Sequence, residues 1–172
     1  MKSNIEISII IPIFNEQESI KFLVAQILQV MKSSNEKFEL IVVDDGSKDN
    51  SVIELKELSK EVKELTCIVL RKNYGQTAAM AAGFDKSQGK IIVTLDGDLQ
   101  NDPQDIPLLI KKIRDGYDLV SGWRFKRKDS EFSRKLPSKI ANKLIAKVTG
   151  VHLHDYGCSL KAYKKEVLSD IR

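Results

Sequence analysis

Two carboxylates separated by a glycine, Asp96-Gly97-Asp98, close an apolar run from Ile91 to Leu95 and are followed by an amide at Gln100. In extended backbone, side chains at i and i+2 point to the same side, so both carboxylates would face one ligand. Hard oxygen donors of this kind suit Mg²⁺ or Mn²⁺, which complete their shell with water and substrate phosphates. Such a cation neutralises a departing diphosphate. Gly97 lets backbone come close to a ligand. A D-G pair is also an ordinary turn signal, so the spacing by itself leaves a polar turn open.

A second acidic group, Asp44-Asp45-Gly46-Ser47, ends another apolar run. Dinucleotide folds place a ribose-binding acid at such a point. The turn after the first strand nevertheless lacks the G-x-G-x-x-G phosphate cradle, which disfavours a nicotinamide or flavin domain. What is left is a carboxylate that accepts hydrogen bonds from ribose hydroxyls or a base N–H, or a turn with Asp49 or Asn50 near a helix N-cap. Cys67 and Cys158 form no C-x-x-C pair, so a disulfide scaffold or structural zinc site is disfavoured and a reducing cytosol fits. Cys67 reads as a small buried hydrophobe, Trp123 as core rather than ligand wall, and His152 and His154 carry no role.

The elements that must position these groups are legible from periodicity. Ile5 to Pro12 is nearly all β-branched and apolar, a strand buried on both faces, and Phe38–Val43, Thr66–Leu70, Ile91–Leu95 and Asp118–Ser121 resemble it. Between them, Ile20, Leu23, Val24, Ile27, Leu28 and Met31 recur at helical spacing, and Ser51-x-x-Glu54 predicts a capping box opening a second helix. Thr77–Lys86 and Gln104–Arg114 complete the alternation. This predicts an α/β fold with a mainly parallel sheet and helices on both faces. In such sheets the ligand crevice lies beyond the carboxyl ends of the strands, where Pro12–Glu16, Asp44–Ser47, Asp96–Gln100 and Trp123-Arg124 would gather.

The 172 residues are 42% apolar and 30% charged, the balance of one globular domain with a sizeable core. The net charge of +4 does not by itself argue for a nucleic-acid binder. Its distribution is uneven: residues 36–64 sum to −4 and residues 111–143 to +7. The Lys126-Arg127-Lys128 run suits either a solvated loop or contact with phosphates and an anionic membrane surface. The short apolar run at the start, interrupted by Pro12, is not expected to be a signal peptide, and no run of about 20 apolar residues occurs within residues 1–172.

Four motifs in order, Ile11-Pro12-Ile13-Phe14-Asn15-Glu16, Val42-Val43-Asp44-Asp45-Gly46-Ser47-Lys48-Asp49, Arg71-Lys72-Asn73-Tyr74-Gly75-Gln76 and Leu95-Asp96-Gly97-Asp98-Leu99-Gln100-Asn101-Asp102-Pro103, resemble those of the family-two, inverting glycosyltransferases of the GT-A fold. The resemblance covers Ile7 to Lys165. Asn73-Tyr74-Gly75-Gln76, Asp98-Leu99-Gln100 and the segment from Asp155 to Tyr163 are most similar to the polyprenyl-phosphate glycosyltransferases, the group of dolichyl-phosphate mannose synthase and the undecaprenyl-phosphate sugar transferases. The resemblance implies a UDP- or GDP-sugar donor, a polyprenyl phosphate acceptor and Mg²⁺ or Mn²⁺. It puts Pro12, Phe14, Glu16, Val43, Asp44 and Asp45 around the nucleoside, Gly97 beside the nucleotide sugar, and Asp96, Asp98 and Gln100 on the metal. Arg124, Arg134 and Ser138 match the acceptor-phosphate positions. Asp155 falls at a candidate catalytic carboxylate, with Asp98 contributing through the metal. Lys161 stands where many relatives have Arg, which leaves a phosphate contact that is not bidentate. Gly97 stands where Ala is common, which is expected to change little.

The expectation is therefore one catalytic domain over residues 1–172, without a C-terminal membrane region, working at the cytoplasmic face of the membrane and binding no nucleic acid. A family-two transferase with a saccharide hydroxyl acceptor is the nearest alternative. A non-catalytic nucleotide- or nucleic-acid-binding module is the alternative from another class. A nucleotidyltransferase is disfavoured, since Pro12 to Glu16 contains neither Gly nor Arg for a phosphate loop.

Overall fold

The computed structural model describes residues 5–123 and 157–169. Strand β1 (Ile7–Ile13) is buried along its whole length and lies inside the sheet. A strand buried throughout needs cover on both faces, and side-chain alternation sorts that cover into two layers. Ile7, Ile9, Ile11 and Ile13 join the larger apolar cluster, with Leu23 and Ile27 of α1 (Ile20–Ser33), Leu55 of α2 (Ser51–Glu61) and Leu109 and Ile110 of α4 (Ile106–Arg114). Ile10 points the other way, toward Ala79 and Met80 of α3 (Gln76–Lys86).

Strands β2 (Phe38–Asp44) and β4 (Ile91–Thr94) flank β1 in parallel, and β3 (Leu65–Val69) extends the sheet beyond β2. The order is β3-β2-β1-β4, continued by β6 (Lys161–Lys164) and then β5 (Leu119–Ser121). The predicted α/β class, with a mostly parallel sheet between helices, is the one observed. One strand was not predicted: β6 (Lys161–Lys164) inserts antiparallel between β4 and β5 (Leu119–Ser121), and α5 (Lys165–Ser169) follows it. No described helix is long and apolar enough to cross a membrane.

Two local expectations need correction. The capping box at Ser51 and Glu54 does not form. Asn50 is the N-cap and Ser51 is already helical, with its hydroxyl donating to Asp49 Oδ1 at 2.5 Å while Glu54 forms an ion pair with Lys21. Trp123 is 54% exposed and does not belong to the core. Cys67 is half-buried against the larger cluster, where burial, followed by the nearby Asp44 carboxylate, pushes its thiol pKa up. Such a thiol is a poor nucleophile at neutral pH.

Candidate active site

The site is assembled from loops at the carboxyl ends of β1, β2, β3 and β4, stitched to one another by hydrogen bonds. Asn15, in left-handed backbone at φ 57°, donates its N–H to Ser47 Oγ and accepts the Lys48 N–H on Oδ1, both at 2.8 Å. Glu16 N–H donates to Ser51 Oγ at 2.8 Å, and Gln17 N–H to Asp49 Oδ2 at 3.2 Å. Burial pushes the Asp49 carboxyl upward, but the Ser51 hydroxyl and the Ser51 and Gln17 amides outweigh it and hold Asp49 below its ordinary value.

Asp44 and Asp45, adjacent in sequence, act on different partners. Asp44 is fully buried, and its Oδ2 accepts the N–H groups of Gly46 and Ser47, each at 3.0 Å. Asp45 is 3% exposed and accepts Tyr74 N–H on Oδ1 and Gly75 N–H on Oδ2, each at 2.8 Å. It thereby ties the second motif to the third. Gly46 is required at this junction: at φ 72° a Cβ would lie 2.4 Å from the Lys72 carbonyl carbon.

Beyond β4, Asp96 Oδ1 accepts a hydrogen bond from Gln76 Nε2 at 2.6 Å, and Asp98 Oδ1 accepts the Gln100 N–H at 3.1 Å across Leu99, whose φ is 61°. Gly97 is buried against the end of β1. A Cβ there would stand 2.8 Å from Ile13 Cγ2 and 3.4 Å from Glu16 Cγ, so alanine is less neutral in this chain than expected.

These loops enclose a cleft of about 270 Å³ lined by Pro12, Phe14, Glu16, Asp45, Asp96, Gly97 and Asp98, together with Ile13, Asn73, Gly75 and Gln76. Seven of the residues expected around the nucleotide sugar and metal thus share one cleft. Val43 lies in the smaller apolar cluster, Asp44 sits beneath the turn, and Gln100 is exposed on the turn; none of the three lines the cleft. Residue chemistry alone gives the third motif no role, and its one local signal is the glycine at position 75, which the structure holds at φ 94°.

A second cleft, of about 310 Å³, shares the Gln76 and Asp96 wall and continues along Thr77, Met80, Ser159, Lys161 and Tyr163. It joins the parallel half of the sheet to β6. Thr94 Oγ donates to the Ser159 carbonyl and Asn101 Nδ2 to Ser159 Oγ, both at 2.8 Å, while the buried Cys158 thiol donates to Asn101 Oδ1 at 3.5 Å. The Asn101 latch fixes the loop after Asp98 to the strand that carries Lys161. Arg124, Arg134, Ser138 and Asp155 lie outside the described residues, as do His152, His154 and the Lys126-Arg127-Lys128 run.

The cleft's donor chemistry fits a hard divalent cation. Asp96 and Asp98 bring two carboxylates to one wall, and no cluster of three or more acidic, histidine or cysteine ligands forms among the described residues. Two oxygen ligands suit an ion that takes the rest of its shell from water and substrate phosphates.

A three-layer α/β fold with nucleoside-sized space and paired acids at the strand ends defines the class: the chain has the GT-A fold of nucleotide-sugar transferases. It belongs to glycosyl transferase family 2, whose model matches residues 8–172. It is 46% identical over 171 residues to a dodecaprenyl-phosphate galacturonate synthase of Rhizobium johnstonii, covering 98% of this chain and 51% of that protein. It is 43% identical to an undecaprenyl-phosphate 4-deoxy-4-formamido-L-arabinose transferase of Proteus mirabilis, covering 95% of this chain and 50% of the relative. The chain spans about half the length of these relatives. Among solved structures, a mannosyltransferase of Pyrobaculum calidifontis in complex with GDP-mannose and Mn²⁺ superposes with a TM-score of 0.72 at 22% identity, covering 96% of this chain and 46% of the other. Glucosyl-3-phosphoglycerate synthase of Mycobacterium tuberculosis, with Mn²⁺, UDP and phosphoglyceric acid, superposes at 0.73 and 20% identity, covering 98% and 58%. At these identities the two structures speak for the fold.

Proposed function

We propose that this chain is the catalytic domain of a polyprenyl-phosphate glycosyltransferase, moving one sugar from a UDP- or GDP-sugar to a polyprenyl phosphate with inversion at the anomeric carbon. The observation that carries this reading is the convergence of Asp96 and Asp98 with Pro12, Phe14 and Asp45 on one cleft, in a chain 46% identical to a relative named for a polyprenyl-phosphate product. An acceptor phosphate oxygen attacks the anomeric carbon, its bond to the donor diphosphate breaks, and the nucleoside diphosphate departs with the electron pair. A phosphate monoester has its second pKa near 6, so much of the acceptor is already dianionic at neutral pH and no strong base is required.

Within this reading, Pro12, Phe14, Glu16 and Asp45 form the nucleoside wall, with Val43 and Asp44 shaping it from beneath. Asp96 and Asp98 are the residues that would hold Mg²⁺ or Mn²⁺, with Gln100 beside them on the exposed turn outside the cleft; the ion would supply positive charge to the departing diphosphate. Gly97 keeps their loop close to β1. Arg124, Arg134 and Ser138 grip the acceptor phosphate, Lys161 assists as a point charge from the second cleft, and Asp155 orients the acceptor. The basic stretch of residues 111–143 suits peripheral attachment to an anionic, cytoplasmic membrane face, and the polyprenyl phosphate acceptor of this reading, rather than the charge itself, sets that face above nucleic acid.

Calorimetric titration of UDP and GDP, each with and without Mn²⁺, on this chain and on Asp98→Ala tests the donor site. Metal-dependent binding of one diphosphate, lost in Asp98→Ala, is the expected result. A folded chain that binds neither diphosphate under any condition overturns the reading.

A further inference from the structure

We propose that Gln76 is a positioning residue of the donor site, one whose side-chain amide sets the orientation of Asp96. The inference rests on the transferase reading of the same cleft. Gln76 Nε2 donates to Asp96 Oδ1 at 2.6 Å, the short distance of a charge-assisted hydrogen bond. The two side chains stand in the wall shared by both clefts, so the orientation of one carboxylate is felt on either side of it.

Gln76 is itself held in place from a distance. It is the first residue of α3, and Gly75 before it has φ 94°, a conformation that largely excludes other residues. Asp45 spends both carboxylate oxygens on the Tyr74 and Gly75 N–H groups. A chain of contacts therefore runs from the nucleoside-side acid, through the Tyr74-Gly75 backbone, to Gln76 and on to the first acid of the Asp96-Gly97-Asp98 pair.

The choice of an amide is chemically specific. A neutral donor occupies Oδ1 and stops rotation of the carboxylate while leaving its full negative charge and Oδ2 for a cation. Lysine or arginine at this position would neutralise the charge that the cation needs, and an apolar residue would leave the carboxylate free to turn. Groups that orient metal ligands in this way are worth about 10–100-fold in metal affinity or activity when removed.

The test uses the whole chain and Gln76→Leu, which keeps the bulk but not the donor, with Gln76→Asn, whose amide is one methylene too short to reach, as the second variant. Mn²⁺ is titrated, with paramagnetic resonance of free Mn²⁺ as the readout, in the presence of whichever of UDP or GDP the parent chain binds. Diphosphate binding without metal and the thermal midpoint are measured alongside. The expected result is a Mn²⁺ midpoint raised about 10–100-fold in both variants, well beyond any change in metal-free binding, with melting unchanged, since Gln76 is exposed. Equal Mn²⁺ midpoints in parent and variants overturn the role of Gln76 and leave the transferase reading intact. Equal weakening of metal-free and metal-dependent binding also overturns it, because Gln76 would then be contacting the nucleotide. Metal-independent diphosphate binding in the parent overturns the role of Gln76 alone, and absence of any diphosphate binding in the parent, with or without metal, overturns the transferase reading on which the inference stands.

Discussion

Asp44 and Asp45 share a residue type and a turn, yet one is spent on its own turn and the other on a loop 29 residues away. Asn at position 45 would present one acceptor oxygen to two N–H donors and turn its own amide toward the second. Asp45→Asn is therefore expected to lose about 1–3 kcal/mol of stability, the cost of a buried polar group left without its partner, measured by urea unfolding. Gly97 makes a prediction of a different kind. Gly97→Ala meets the branched methyl of Ile13, so its cost should fall in an Ile13→Leu background, where Cγ2 is absent. A double-mutant cycle of urea midpoints checks this, and additive costs would mean that Ile13 is not the obstacle.

At the scale of elements, α3 presents Gly83 to β1, and a Cβ there would come within 2.4 Å of Ile10 Cγ2. Gly83→Val is expected to push α3 off the sheet at a cost of about 1–3 kcal/mol, read as a lowered thermal midpoint. Because Gln76 begins the same helix, Mn²⁺-dependent diphosphate binding should weaken with it. The joint between the β1 and β2 loops responds to pH instead. Asp49 has a folded pKa below its unfolded value near 3.9, so its contribution is complete above that value and is lost as pH falls through the folded one. Between pH 5 and pH 2, urea midpoints should fall less steeply for Asp49→Asn than for the parent chain. An identical slope would show that the bonds to Ser51 and Gln17 do not bias the carboxyl.

For the whole molecule, charge is segregated, with −4 over residues 36–64 and +7 over residues 111–143. The proposed lipid acceptor predicts that the chain sediments with vesicles rich in anionic lipid and is released at high salt, as screening shortens the reach of its basic stretch. Salt-independent sedimentation, or none, counts against membrane attachment through that stretch. Asp155→Asn tests the acceptor chemistry. If a dianionic phosphate is the nucleophile and Asp155 only orients it, a modest loss of transfer is expected because the Asn amide keeps an orienting contact. Near-complete retention removes Asp155 from the base role, while loss of several orders of magnitude in kcat points to a hydroxyl acceptor that needs a base.

The order of strands and helices, the ends at which chemistry collects and the paired acids were all legible in the residues, because burial patterns and turn chemistry are local and repeat with the period of each element. β1 shows this most clearly: seven consecutive buried residues dictate a covered central strand wherever its neighbours come from. The insertion of β6 was not legible. Lys161-Ala162-Tyr163-Lys164 is short and half charged, and it becomes a strand only because β4 and β5 offer their edges to it. Nor did the spacing of Asp44 and Asp45 say which would be buried beneath its own turn and which would brace the Tyr74-Gly75 backbone. The Gln76 bond to Asp96 and the Asn101 latch to Ser159 span 20 and 58 residues. Hydrogen bonds of that range are made by surfaces brought together after the elements have formed, so sequence supplied the donors and acceptors while only the tertiary structure decided which of them meet.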